Sequence, residues 1–154
     1  NSRAGSYFAL NNIEAAIKDF ETILQISKNE KLKNSVKEYI SKSYTKIGND
    51  ELSNGNINKA IEYYNKAIEL INYDIAFLGL ARIYNDLSDW DKAIDAAQNA
   101  IKYKDSISKG AGYYYLGLAY KGKGDLTKAK ENFNLAVSDP SYKKLVEYEL
   151  SLLK

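Results

Sequence analysis

The sequence contains no cysteine, no histidine and no methionine, and its single proline is Pro140. Without cysteine and histidine, thiol catalysis, histidine-based triads and the usual zinc, iron and copper ligand sets are excluded. The side chain best suited to proton transfer near pH 7 is also missing. Because the chain begins at Asn1 and holds no methionine, we expect its natural N-terminus to be missing.

Charge and hydropathy exclude further classes. The 22 Lys+Arg and 20 Asp+Glu residues leave a net charge of +2, too balanced to predict a nucleic-acid partner. The longest apolar run, Ile75–Ala81, is far shorter than the roughly 20 residues of a membrane span, so we expect no membrane insertion. No signal peptide is visible, and a cytoplasmic location is favoured over an exported or periplasmic one. Abundant Lys, Asn, Ile and Tyr are typical of an AT-rich, bacterial genome.

What the sequence does contain is an internal repeat. It is marked by four alanines, namely Ala16, Ala60, Ala93 and Ala129. Each alanine begins a row of apolar residues at offsets of four and seven, which is the spacing of one helical face. Twelve positions before each alanine stands a small residue: Ala4, Gly48, Ala81 and Gly117. Small residues let two antiparallel helices approach closely, so the pattern predicts four units of helix, tight turn and helix.

Helix starts and turns follow the same period. An Asn or Asp stands four positions before each alanine as a predicted N-cap: Asn12, Asn56, Asp89 and Asp125. The predicted turns directly precede these caps, at Asn11, Gly55, Ser88 and Gly124. Trp90, at the start of a second helix, is expected to anchor that helix against its neighbour.

The last full unit carries the most specific motif, formed by Tyr113, Leu116, Gly117, Tyr120, Ala129, Phe133 and Ala136. It resembles the tetratricopeptide repeat family, whose pattern is an aromatic residue, Leu-Gly and Tyr, followed by Ala and Phe on the second helix. The third unit has Ala81 in place of Gly, and the second has Glu51 in place of Tyr. The resemblance implies an all-α, right-handed α-solenoid of about four helix-turn-helix repeats plus a C-terminal helix.

We expect residues 1–154 to form a single array. Its repeats are predicted at about 1–28, 31–72, 74–105 and 110–139. The 44 residues between Ala16 and Ala60 exceed the later intervals, and we interpret the excess as a long opening helix over about 31–53, with a flexible insertion as the alternative. After Pro140, a helix over 142–154 either caps the array or begins a partial fifth repeat.

In a stacked array of this kind the opening helices line a concave groove. The predicted groove residues are Lys46, Asn49, Leu78, Arg82, Tyr114, Tyr115 and Leu118. We expect them to bind a peptide or helix of another protein, without catalysis, cofactor or metal. Three alternatives stay open: the apolar residues could pack against 142–154, further repeats outside this sequence could pack on them, or the array could pair with a second copy as a homodimer.

Two known ligand sites are not matched by the sequence. A subset of the family holds a C-terminal carboxylate with Lys, Asn and Arg, but the corresponding places here are Thr45, Asn49, Gly79, Ala111 and Tyr115. Only the asparagine fits, so we expect that clamp to be absent. A phosphate loop is also rejected, because its glycine spacing falls on a predicted helix with no preceding strand.

Overall fold

The computed structural model describes residues 2–153, with side chains from residue 12 onward. This part of the chain forms eight helices and no strand: α1 (Ser2–Ile26), α2 (Glu30–Ser53), α3 (Ile57–Leu70), α4 (Asp74–Asp86), α5 (Trp90–Lys102), α6 (Lys109–Lys123), α7 (Leu126–Ala136) and α8 (Lys143–Leu152). They fall into two compact units, Asn1–Ile71 and Asn72–Lys154, called unit 1 and unit 2. The predicted all-α repeat fold is confirmed.

Three pairs of helices form hairpins: α2 with α3, α4 with α5, and α6 with α7. The predicted long opening helix is confirmed, because α2 runs from Glu30 to Ser53 and begins at an N-cap, Asn29, whose side chain accepts the Leu32 N–H at 3.1 Å. The repeat bounds and the single array stay predictions.

The predicted N-caps have different outcomes. Asp89 and Asp125 accept N–H groups of the first turns of α5 and α7, as expected. The Asn56 amide instead donates to the buried Glu51 carboxylate at 2.6 Å, so it makes no cap hydrogen bond. Glu51, which stands where the family usually has tyrosine, therefore binds the Asn56 side chain in place of a cap hydrogen bond.

Each hairpin turn contains one residue with positive φ: Gly55 at 80°, Ser88 at 58° and Gly124 at 87°. The left-handed region costs a non-glycine residue roughly 1–2 kcal/mol. We expect Ser88→Gly to raise the free energy of unfolding by about 0.5–1 kcal/mol, since glycine's greater freedom in the unfolded chain offsets part of the gain. Urea unfolding measures the change. Ser88→Ala is the control and should not stabilise; a lower midpoint for Ser88→Gly would contradict the prediction.

The predicted turn at Asn11 is wrong, because α1 is continuous from Ser2 to Ile26. The described residues with positive φ include the other three turns but not this one. Asn costs only a fraction of a kcal/mol in a helix interior, so an Asn-Asn pair without Gly does not force a break. Asn12, predicted as an N-cap, accordingly lies within α1.

Unit 1 is held together by a core of Ile17, Val36, Ile40 and Ile47, to which α1 contributes its C-terminal half. Ser41, fully buried on α2, donates its hydroxyl to the Ala67 carbonyl of α3 at 3.0 Å. This bond fixes the two helices of the hairpin at close range.

Unit 2 has a core cluster of Ala129, Phe133, Ala136, Val146 and Leu153, in which α8 packs against the last hairpin. On α6, Gly117 lies so close to the Phe133 ring that a Cβ there would stand 2.6 Å from it. The predicted anchor role of Trp90 is confirmed, because its ring packs onto the Gly122 backbone of α6.

Two buried carboxylates hold the connection between α5 and α6. Asp74 Oδ2 accepts the N–H groups of three successive residues: Asp105 at 2.7 Å, Ser106 at 2.6 Å and Ile107 at 2.9 Å. Burial raises the pKa of Asp74, but these bonds and that of Ile75 together hold its pKa below the usual value. Asp139 accepts the Gly110 N–H at 2.7 Å. The segment from 105 to 110 is therefore anchored at both ends.

Candidate functional site

The seven predicted groove residues lie in both units. Lys46 and Asn49 are exposed residues of α2 in unit 1, whereas the other five lie on α4 and α6 in unit 2. Asn49 already has an internal role, because its Oδ1 accepts the Tyr64 hydroxyl at 2.6 Å. Thr45, at another clamp position, is buried and donates to the Ser41 carbonyl at 2.9 Å.

In unit 2, the opening helices α4 and α6 contact each other directly. Asn85 links them, because its amide donates to the Ala81 carbonyl at 2.9 Å and to the Tyr115 carbonyl at 3.1 Å. Its Oδ1 is buried and has no hydrogen-bond partner among the described residues. Sequence analysis missed Asn85, since nothing distinguishes it from the many other asparagines of this chain.

Part of the predicted apolar end of the groove is engaged by the C-terminal segment. The Tyr114 ring lies 5.2 Å from the Tyr142 ring and 6.2 Å from that of Phe133. Tyr114 and Leu118 both pack against the unit 2 core, to which α8 contributes Val146. The packing against 142–154 that the sequence left open as an alternative therefore occurs at Tyr114, whereas Leu118 packs against the unit 2 core as a whole.

The remaining three residues, Leu78, Arg82 and Tyr115, define what we call the α4–α6 patch. Leu78 and Tyr115 are half-buried, and Arg82 is exposed. Burial raises the pKa of Tyr115; the Arg82 charge opposes this shift and Asp86 adds to it. Arg82 also lowers the pKa of Tyr142, which burial, Tyr115 and Asp139 raise. The positive charge of Arg82 therefore opposes the rise in pKa of both Tyr115 and Tyr142.

The described residues include no ion pair of Arg82. They also include no group of carboxylates suited to a metal ion. Within the same residues, no helix combines the length and apolar character needed to cross a membrane. The α4–α6 patch thus combines apolar and aromatic surface with a cation that forms no ion pair among the described residues, a combination typical of binding surfaces.

Successive antiparallel hairpins, with glycine where two helices touch, define a helical-repeat protein. Two models of the tetratricopeptide repeat match the chain, one over residues 45–111 and the other over residues 1–30 and 111–138. The chain belongs to the tetratricopeptide repeat family.

Relatives and solved structures agree with this assignment. The chain is 33% identical to heat shock protein STI1 of Saccharomyces cerevisiae over 61% of its own length and 16% of the relative's. It is 30% identical to TPR repeat-containing protein MJ1428 of Methanocaldococcus jannaschii over 90% of its length and 22% of the relative's. The chain therefore spans about a fifth of these curated relatives. The N-terminal domain of stress-induced protein-1 from C. elegans has a similar fold, with a TM-score of 0.60, 20% identity and coverage of 70% of this chain and 92% of that one.

Tetratricopeptide repeats are generally interaction scaffolds, and their domains bind other proteins. This chain is accordingly a protein–protein interaction repeat module.

Proposed function

We propose that the chain is a non-catalytic module that binds a peptide or helical segment of another protein at the α4–α6 patch. The observation that carries this proposal is an exposed guanidinium beside half-buried Leu78 and Tyr115, on two opening helices that contact each other. Aromatic and arginine side chains are the usual anchors of protein interfaces. Within unit 1, Lys46 and Asn49 of α2 are proposed separately as polar contacts for a partner.

The chemistry of the patch predicts the chemistry of the partner. Burying the exposed parts of Leu78 and Tyr115 contributes about 25 cal/mol for each Å² of apolar surface removed from water. A guanidinium binds a carboxylate through two parallel hydrogen bonds. The partner segment should therefore carry an apolar side chain near an acidic one.

Selection from a random peptide library on the immobilised chain tests this proposal. We expect the selected peptides to lose about 2 kcal/mol of binding free energy, roughly 30-fold in Kd, with Arg82→Glu, because the reversed charge faces their acidic residue. Lys130→Glu makes the same charge change at an exposed position of α7 and should leave binding unchanged. Circular dichroism verifies that both variants are folded. Equal binding to the wild type and Arg82→Glu would refute the patch as the binding site.

Self-association is a second candidate, favoured by one observation. On α8, Leu145, Tyr148 and Leu152 stand on one face and are 49%, 62% and 53% exposed. Such a row could pair with the same row of a second copy across a two-fold axis. Sedimentation velocity over a wide concentration range separates the candidates, since a strict monomer excludes this one.

A further inference from the structure

A cavity of about 270 Å³ lies in unit 2, where α5 ends and α6 begins. We call it the α5–α6 cavity. Its apolar lining includes Ile101, Ile107 and Tyr113. Two lysines, Lys104 and Lys109, also line it, together with Ser108 and Gly112. None of these residues belongs to the α4–α6 patch, so the cavity is a separate feature of the molecule.

Hydrogen bonds to two buried carboxylates fix the backbone at and beside the cavity. Asp74 anchors the backbone at Ile107, and Asp139 anchors it at Gly110. Gly112, which also lines the cavity, lies so close to Ile101 that a Cβ would stand 2.5 Å from its Cγ1. A site already shaped before binding loses less conformational freedom when a ligand enters, which favours affinity.

Both charged side chains that line the cavity, Lys104 and Lys109, are positive. Lys104 and Lys109 are exposed, and neither forms an ion pair with the described residues. The N-terminal end of α6 adds partial positive charge, because Lys109 begins that helix. Three carboxylates lie nearby: Asp74 and Asp139 already accept backbone N–H groups, and Asp105 is exposed next to Lys104.

We propose that the α5–α6 cavity binds a compact apolar group that carries a carboxylate. The apolar part would lie against Ile101, Ile107 and Tyr113, and the carboxylate would meet the two ammonium groups. Pockets for drug-sized ligands begin at roughly 300 Å³. Because this cavity is slightly smaller, its ligand should be small. This chemistry occurs in free aliphatic acids and in the C-terminal residue of a peptide.

Three probes separate these sources in a ¹⁵N NMR titration: octanoate, N-acetyl-leucine and N-acetyl-leucinamide. We expect saturable shifts at Ile101, Ile107, Gly112 and Tyr113 with at least one of the two carboxylates, and at least tenfold weaker binding of the neutral amide. Tighter binding of octanoate identifies a free acid, and tighter binding of N-acetyl-leucine identifies a peptide terminus. No saturable shift with either carboxylate, or equal binding of the amide, would overturn the proposal.

Charge reversal supplies the matched control. Lys104→Glu with Lys109→Glu should weaken binding of the carboxylate at least tenfold, whereas Lys130→Glu with Lys144→Glu changes net charge equally at exposed positions outside the cavity and should not. An equal loss in both double variants would show non-specific attraction and refute the site. Arg82→Glu should leave the titration unchanged, so this proposal and that of the α4–α6 patch can fail separately.

Discussion

Asp74→Ala is expected to lower the free energy of unfolding by about 3–5 kcal/mol. Its carboxylate is 1% exposed and accepts the N–H groups of three successive residues of the α5–α6 connection, 105–107. Alanine has no acceptor, and each N–H left without a partner costs about 1–3 kcal/mol where water cannot replace it. The loss should be the largest of the single substitutions considered, because several hydrogen bonds converge on one atom.

Urea unfolding followed by circular dichroism and by the fluorescence of Trp90, which lies in unit 2, measures this loss. Asp19→Ala is the control at an exposed position of α1 and should change stability by less than about 0.5 kcal/mol. Asp74→Asn keeps one acceptor oxygen and should fall between the two. A loss below about 1 kcal/mol for Asp74→Ala would show that water replaces the carboxylate.

The same carboxylate predicts a pH dependence of stability. The pKa of Asp74 is lowered in the folded chain, so the ionised form binds the backbone and contributes stability above the ordinary aspartate pKa of about 3.9. This contribution is lost as pH falls through the lowered pKa. The difference in stability between wild type and Asp74→Asn should therefore be full at neutral pH and shrink in acid.

Gly117→Ala is expected to destabilise unit 2 by about 1–3 kcal/mol, although alanine favours a helix over glycine by about 1 kcal/mol. The added Cβ would stand 2.6 Å from the ring of Phe133, which is fully buried and cannot turn away without disturbing the core. The helices would have to separate. At Gly48, where the ring of Tyr64 is 2.9 Å from the same hypothetical atom, the loss should be smaller.

A double-mutant cycle isolates the cause. Phe133→Leu alone should destabilise by about 1–2 kcal/mol, because it leaves a cavity, but it removes the ring that the new Cβ would meet. The double variant should therefore be more stable than the sum of the single changes by about 1 kcal/mol or more. Additive losses would mean that the contact with Phe133 is not the reason why position 117 requires glycine.

The α4–α6 patch was only partly accessible to sequence reasoning. Helical spacing selected Leu78, Arg82 and Tyr115 as surface residues of the opening helices, since the direction of a side chain from a helix follows from its position in the turn. The same reasoning selected Tyr114 and Leu118, which pack against the unit 2 core that α8 shares. Spacing within one helix carries no information about which later helix will cover it.

The amino-acid sequence by itself determined the hairpins, because a period of 3.6 residues and small residues opposite alanines are properties of neighbouring positions. It also determined the long α2, whose cap and apolar spacing are local. Only the tertiary structure decided that Asp74 binds the backbone 31–33 residues further on and that Tyr114 packs against Tyr142. Such choices depend on contacts between residues far apart in the chain, and those contacts exist only once the helices have packed.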